Sequence, residues 1–326
     1  MQRIEYLDGW RGLAILFVLL GHFGPLDALW GTFGVELFFV LSGRLMAHIL
    51  YEKQMPLPMF FWRRFSRIYP ALLIFALAVT AMGIALDLLG KNGGTNVATV
   101  VTALTFTLNY YGALGGDIQG PFDHLWSIAI EEHCYAILAM IALVVQRRPE
   151  RAILICFLVG AVAMLNGVWL FIRGVGTVHE IYWRTDVRLA PVFISAGLYL
   201  LSRRLPPPPA WVPVALALTS IPLFAMLDPL PLKMVVPTLM LAYAVNTLDF
   251  TAERVKEALS TRWLTATGLI SYSLYLWQQP FYKATHGAPW AILPATVIAY
   301  LSFRYVENPA RAWLNAQTKR RRLPAA

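Results

Sequence analysis

Charge is what this sequence has least of. Only 14% of its 326 residues are charged and 58% are hydrophobic, whereas a water-soluble domain carries about a quarter charged residues. That deficit excludes an ordinary soluble globule. There are two cysteines, Cys134 and Cys156, both inside apolar runs. A disulfide framework and a thiolate metal site are thereby excluded, and both read as small core residues. The chain has no H-E-x-x-H, no Walker-type glycine loop and no G-x-S-x-G elbow, so zinc hydrolysis, nucleotide hydrolysis and serine-hydrolase chemistry have no local support. It also lacks the ten-residue alternating segments of a membrane β-barrel.

What remains is a series of apolar runs near the roughly 20 residues that cross about 30 Å of hydrocarbon as helix. Open strands cannot satisfy their backbone in lipid, so the expected fold is all-α, a polytopic membrane helix bundle. The runs predict ten spans near 9–29, 33–51, 68–89, 124–145, 152–172, 187–202, 211–228, 232–248, 264–283 and 289–306. The first lacks a strongly basic leader and a small-x-small cleavage site, so it reads as a span and not as a signal peptide.

Net charge is +9, which would suit nucleic acid if the basic residues formed a face. They sit instead in short blocks between apolar runs, the positive-inside pattern, and no nucleic-acid partner is expected. With both termini cytoplasmic, the blocks around Arg63, Arg147, Arg203, Arg254 and the tail Lys319–Arg322 face inward, outnumbering outer basic residues by about three to one. The run Asn96–Leu114 is weaker, rich in Thr. If it crossed, every later loop would invert, so it is expected to be re-entrant or interfacial. Residues 1–310 then form one membrane domain and 311–326 a short basic cytoplasmic tail.

Several polar residues stand out against this background, because ionisable groups in hydrocarbon are costly and usually used. In "GWRGLAILFVLLGHF", Arg11 and His22 are eleven residues apart, close to three helical turns. They share a face, separated by roughly 16 Å along the axis. Snorkelling would account for the arginine alone and an interhelical hydrogen bond for the histidine alone; a shared face points to one polar cavity. In "HLWSIAIEEHCY", Ser127 lies one turn before Glu131, while Glu132 points about 100° away. Glu131 reads either as a tie to Arg11 or Arg304 or as a carboxylate that orients and charges His22. In "FFWRRFSRIYP", Arg64 and Arg67 are one turn apart. They read as a topology signal or as a pair able to hold phosphate.

These blocks, in order with "GVELFFVLSGRLM", "TDVRLAPVFISAGL", "GLISYSLYLWQQP" and "RYVENP", resemble the acyltransferase-3 family of integral membrane acyltransferases over nearly the whole chain. The family's Arg-x10-His falls on Arg11 and His22, its invariant glutamate on Glu131 and its Arg-x-x-Arg on Arg64 and Arg67. The resemblance implies a bacterial cytoplasmic (inner) membrane enzyme that moves an acyl group, usually acetyl, from acyl-CoA to a hydroxyl of a carbohydrate or glycolipid. It implies the stand-alone form without an appended hydrolase-like domain. Acyl-CoA enters as co-substrate, with no permanently bound cofactor and no metal. Gln278 stands where a histidine usually follows "LYLW", Ala190 where a second acid is frequent, and Arg44 where phenylalanine is common.

The expected mechanism places the acyl-CoA phosphates on Arg11, Arg64 and Arg67 and the thioester at His22. The imidazole there is a base or an acyl relay, assisted by Glu131. Ser127, Asp186 and Arg188 are the expected substrate-binding residues, the last two on an outer loop with His179, Glu180, Trp183 and Arg184. A transporter or flippase of a lipid-linked or sugar substrate is the competing expectation, although no inverted repeat supports it. Oligomeric state is left open, homo-oligomers included.

Overall fold

The computed structural model describes residues 4–24, 28–91, 93–145, 148–227 and 230–320. Among the described residues there are helices and turns and no strand. In chain order the helices are α1 (Glu5–Phe23), α2 (Ala28–Ala47), α3 (Leu57–Leu88), α4 (Val97–Leu104), α5 (Leu108–Ala113), α6 (Trp126–Val145), α7 (Pro149–Ile172) and α8 (Val178–Tyr182). Then follow α9 (Thr185–Arg188), α10 (Ala190–Ser202), α11 (Val212–Met226), α12 (Leu230–Thr247), α13 (Glu253–Leu259), α14 (Arg262–Thr285), α15 (Ile292–Ser302) and α16 (Asn308–Arg320).

Four helical stretches, Leu29–Glu52, Leu57–Leu88, Asp123–Val145 and Pro149–Ile172, are each long and apolar enough to cross a bilayer. Their outward faces carry exposed Leu77, Leu143, Leu154, Val162 and Leu165. Water would be a poor solvent for such a surface and lipid a good one. This is a membrane helix bundle.

Every expected span contains a helix, but several boundaries move. The helix expected from residue 68 begins at Leu57, because Pro56 and Pro58 supply its first turn and an aromatic run follows without a breaker. It continues through Pro70 to 32 residues. Arg64 and Arg67 are therefore on the helix itself and not in a loop before it. The span expected at 187–202 is shorter as a helix, 13 residues in α10, or about 20 Å. Asn96–Leu114 breaks at Thr105–Thr107, with Phe106 at φ 57°. Neither α4 nor α5 is long enough to cross. They lie against α3 and α6, where protein can satisfy their backbone.

The boundary expected at 310/311 falls inside α16, which docks on α3: Trp62 Nε1 donates to the Leu314 carbonyl at 3.2 Å. Arg3, Arg147, Arg321 and Arg322 of the basic pattern lie outside the described residues, as does the end of the tail.

The centre of the bundle is α1, which packs on α2 and α14. Glycine makes this possible. A Cβ on Gly12 would run into the Leu264 carbonyl oxygen, and one on Gly268 into that of Asp8. In lipid, where apolar surface gains little by association, such backbone approach is a main source of helix packing. Gly12→Val is expected to destabilise the bundle by about 1–3 kcal/mol, read as a lower melting temperature of the detergent-solubilised protein. An unchanged melting temperature would mean that α1 and α14 separate easily.

Candidate active site

Residues from α1, α2, α3, α6 and α14 enclose a cavity of about 100 Å³. Its polar lining includes Arg11, Arg64, Arg67, Glu131, Ser127 and Tyr275, against walls such as Val35, Phe38, Phe39 and Ile68. The helical period explains the convergence: Arg64 and Arg67 share one face of α3, and Ser127 and Glu131 share one face of α6. The structure thus brings together five of the residues singled out in the sequence.

Their partners separate them into kinds. Arg64 ion-pairs with Glu132 at 2.7 Å, its guanidinium 3.9 Å from the centre of the Tyr135 ring. Arg11 bonds Asp8 one turn back at 3.0 Å. Arg67 makes no ion pair or hydrogen bond among the described residues. The glutamate tied to an arginine is therefore Glu132, not Glu131, and neither Arg11 nor the exposed Arg304 supplies the tie. Glu131 accepts a hydrogen bond from Ser42 Oγ at 2.6 Å, and Ser42 in turn accepts one from Tyr135 at 2.9 Å. With Arg64 paired to Glu132 and Arg11 to Asp8, Arg67 is the lining arginine without an ion pair among the described residues, and Glu131 is the lining carboxylate without one.

His22 does not line this cavity, and its ring is not hydrogen-bonded to Glu131. The partners of the two expected residues are separate, Gln278 for His22 and Ser42 for Glu131. His22 Nδ1 bonds Gln278 Oε1 at 2.7 Å, and the ring stacks on Tyr282 with centroids 4.5 Å apart. Gln278 is three residues beyond Tyr275 on α14, so the cavity ends about one turn short of the imidazole. At that end Tyr275 and Ser127 are hydrogen-bonded at 2.6 Å, and the Tyr275 hydroxyl is 2.8 Å from the His124 carbonyl oxygen. Sequence reasoning missed Ser42, Tyr135 and Tyr275. Their signal, hydroxyls one face away from known charges, is too common to be read alone.

The outer-loop residues are divided by burial. Asp186 is half exposed, and Arg184 Nη2 and Asn166 Nδ2 both donate to its Oδ2 at 2.8 Å. Burial would raise its carboxyl, but these hydrogen bonds hold it below the ordinary aspartate value. Glu180 is spent on a capping box with Thr177.

Arg188 is 1% exposed and paired with Glu36, which also accepts from Thr238. It lies between the rings of Tyr182 and Phe39. In this arrangement Arg188 is a buried internal tie to Glu36. Glu36, unremarked in the sequence, carried a readable signal as a carboxylate inside an apolar run.

Comparison with known proteins agrees with the motifs. The chain is 27% identical to the peptidoglycan O-acetyltransferase OatA of Listeria monocytogenes, over 94% of this chain and 56% of that protein. It is 28% identical to the putative peptidoglycan O-acetyltransferase YrhL of Bacillus subtilis, over 94% of this chain and 55% of that one. A putative O-acetyltransferase of Staphylococcus aureus, SACOL0978, is 28% identical over 62% of this chain. The chain spans about half the length of the first two relatives. No solved structure matches it. The Acyl_transf_3 model, described as an acyltransferase domain, matches residues 4–303; the chain belongs to this acyltransferase-3 family.

Proposed function

We propose that the protein is a membrane O-acetyltransferase that takes acetyl from acetyl-CoA and places it on a hydroxyl of a glycan-containing acceptor. The observation that carries this reading is the convergence of Arg11, Arg64 and Arg67 on one apolar-walled cavity. Guanidinium groups hold phosphate by charge-assisted, often bidentate hydrogen bonds, which suits the phosphates of CoA. The names of the relatives support acetyl as the group and a glycan as the acceptor. Ten spans, with both termini on the cytoplasmic side of a bacterial inner membrane, would put the arginines within reach of cytoplasmic CoA.

From the arginines the pantetheine arm runs toward His22, roughly 16 Å away along α1. The last turn opens when the Tyr275–Ser127 contact parts. His22 Nε2, which has no hydrogen-bond partner among the described residues, takes the proton of the acceptor hydroxyl. The oxygen attacks the thioester carbonyl, the C–O bond forms and the C–S bond breaks. The proton then passes from the imidazolium to the departing thiolate, giving acetylated acceptor and free CoA. Glu131, held by Ser42, limits the cavity's positive charge. The half-exposed Asp186 is available to acceptor hydroxyls. Family membership weighs against the transporter reading.

The test is transfer of radiolabelled acetyl from acetyl-CoA to an added peptidoglycan fragment by purified protein. Label on the glycan with stoichiometric free CoA is expected. No CoA release with any acyl donor and glycan, alongside protein-dependent movement of a glycolipid across vesicles, would replace this reading with a flippase. Arg67, having no ion pair or hydrogen bond among the described residues, is the cleanest probe of donor binding. Arg67→Ala is expected to raise KM for acetyl-CoA about tenfold or more, the loss of one charge-assisted contact of about 1.5–3 kcal/mol. An unchanged KM would remove the arginine cluster from donor binding.

A further inference from the structure

The imidazole of His22 is the end of a hydrogen-bonded chain that runs through two glutamine amides to a carboxylate. Gln278 Oε1 is 2.7 Å from His22 Nδ1, and Gln278 Nε2 donates to Gln279 Oε1 at 3.0 Å. Gln279 Nε2 donates to Asp123 Oδ1 at 2.7 Å. Asp123 Oδ1 also accepts the His124 backbone N–H at 3.1 Å, and Oδ2 pairs with Lys283 at 2.7 Å. Both amides are buried, Gln278 fully and Gln279 to 3% exposure, so water offers them no alternative partners.

Such a chain has a direction, and only one end can set it. An ionised carboxylate can only accept hydrogen bonds, whereas each amide has one donating and one accepting end. Asp123 therefore requires the NH2 of Gln279. That leaves Gln279 Oε1 to accept the NH2 of Gln278, and Gln278 Oε1 to face His22. The imidazole nitrogen opposite that oxygen must carry the proton. Reversing the amides would set Gln279 Oε1 against the Asp123 carboxylate, two acceptors at 2.7 Å with no proton between them. The position where the family usually has histidine here holds a residue that transmits donor–acceptor polarity without titrating.

We infer that Asp123, Gln279 and Gln278 are positioning residues that hold His22 in its Nδ1–H tautomer, leaving the Nε2 lone pair as the base. This rests on the proposed role of His22 and supplies the orienting carboxylate that Glu131 does not provide. The arrangement does for an imidazole what a directly bonded aspartate does in a serine-protease triad, with two amides interposed. Stacking on Tyr282 fixes the ring plane and the chain fixes the proton.

The tautomer can be read without turnover. In 15N-histidine-labelled protein, with the His22 signal assigned by its absence from His22→Ala, the unprotonated nitrogen is expected to be Nε2. A wild-type ring protonated on Nε2 overturns the inference, and this measurement needs no orienting variant to fold. Asp123→Asn supplies an NH2 that can reverse every link. It should shift the ring toward Nε2–H and lower kcat on the order of 100-fold with little change in KM for acetyl-CoA. A lowered kcat with an unshifted tautomer would make Asp123 merely structural. Asp123→Asn combined with Gln278→Glu keeps total charge and puts an acceptor-only group directly on His22. It should restore the Nδ1–H tautomer and part of kcat; failure to restore the tautomer counts against the chain. If the tautomer behaves as expected while His22→Ala remains active, the chain stands and the proposed role of His22 falls.

Discussion

His22→Ala is expected to lower acetyl transfer to the glycan by about 10²–10⁴-fold, the usual worth of a general base. The size follows from what the residue would have to do twice: accept a proton from a hydroxyl too weakly acidic to ionise itself, and return it to the thiolate. His124 is buried with both ring nitrogens lacking a partner, and His133 bonds Thr185 at 2.8 Å on another face of α6.

Binding of acetyl-CoA should survive, because the arginines belong to the opposite end of the site. Loss of kcat with KM nearly kept is therefore the signature of a group acting in the chemical step. The fold should survive too, since His22 is only partly buried and contributes one hydrogen bond and one stacked ring. Labelling separates the two roles of the imidazole. Acetyl found on wild-type protein and absent from His22→Ala identifies a covalent relay, whereas label found only on the glycan identifies a base. Undiminished transfer by His22→Ala would overturn the mechanism.

Periodicity made one half of this site legible and hid the other. Arg11 and His22 share a face because eleven residues nearly close three turns, and the same arithmetic pairs Ser127 with Glu131 and Arg64 with Arg67. All of these except His22 and its surroundings meet in one cavity, since local helical geometry decides them. What His22 touches is decided by how α14 packs on α1, 256 positions away in sequence. The nearest carboxylate by motif was Glu131, yet the one that reaches the ring is Asp123, through amides that no charge pattern flags. The helices within the apolar runs were legible for the same local reason. Their ends were not, because helices such as α3 and α16 run on through polar residues wherever a neighbour covers them.

The second large effect concerns stability. Glu36→Gln is expected to destabilise the bundle by about 3–5 kcal/mol, the usual cost of breaking a buried ion pair by removing one partner. Glu36 and Arg188 are both 1% exposed, so the guanidinium left behind could neither reach water nor find another anion. Its remaining contacts, the Tyr182 hydroxyl at 3.2 Å and two aromatic faces, are weaker than a carboxylate. Arg188 Nε has no hydrogen-bond partner among the described residues even with Glu36 in place.

Glu36 is on α2, Arg188 on α9 and Thr238 on α12, so one missing charge loosens three elements that meet behind the cavity. Arg188→Met should cost a similar amount for the mirror-image reason, an unpaired carboxylate. The double variant Glu36→Leu with Arg188→Met should recover most of the loss, because with both charges gone there is nothing left to desolvate. Thermal unfolding of wild type, Glu36→Leu, Arg188→Met and their double variant in one detergent gives the coupling directly. Additive losses, or an Arg188→Met protein of normal stability whose only defect is a raised KM for the glycan, would return Arg188 to the acceptor site.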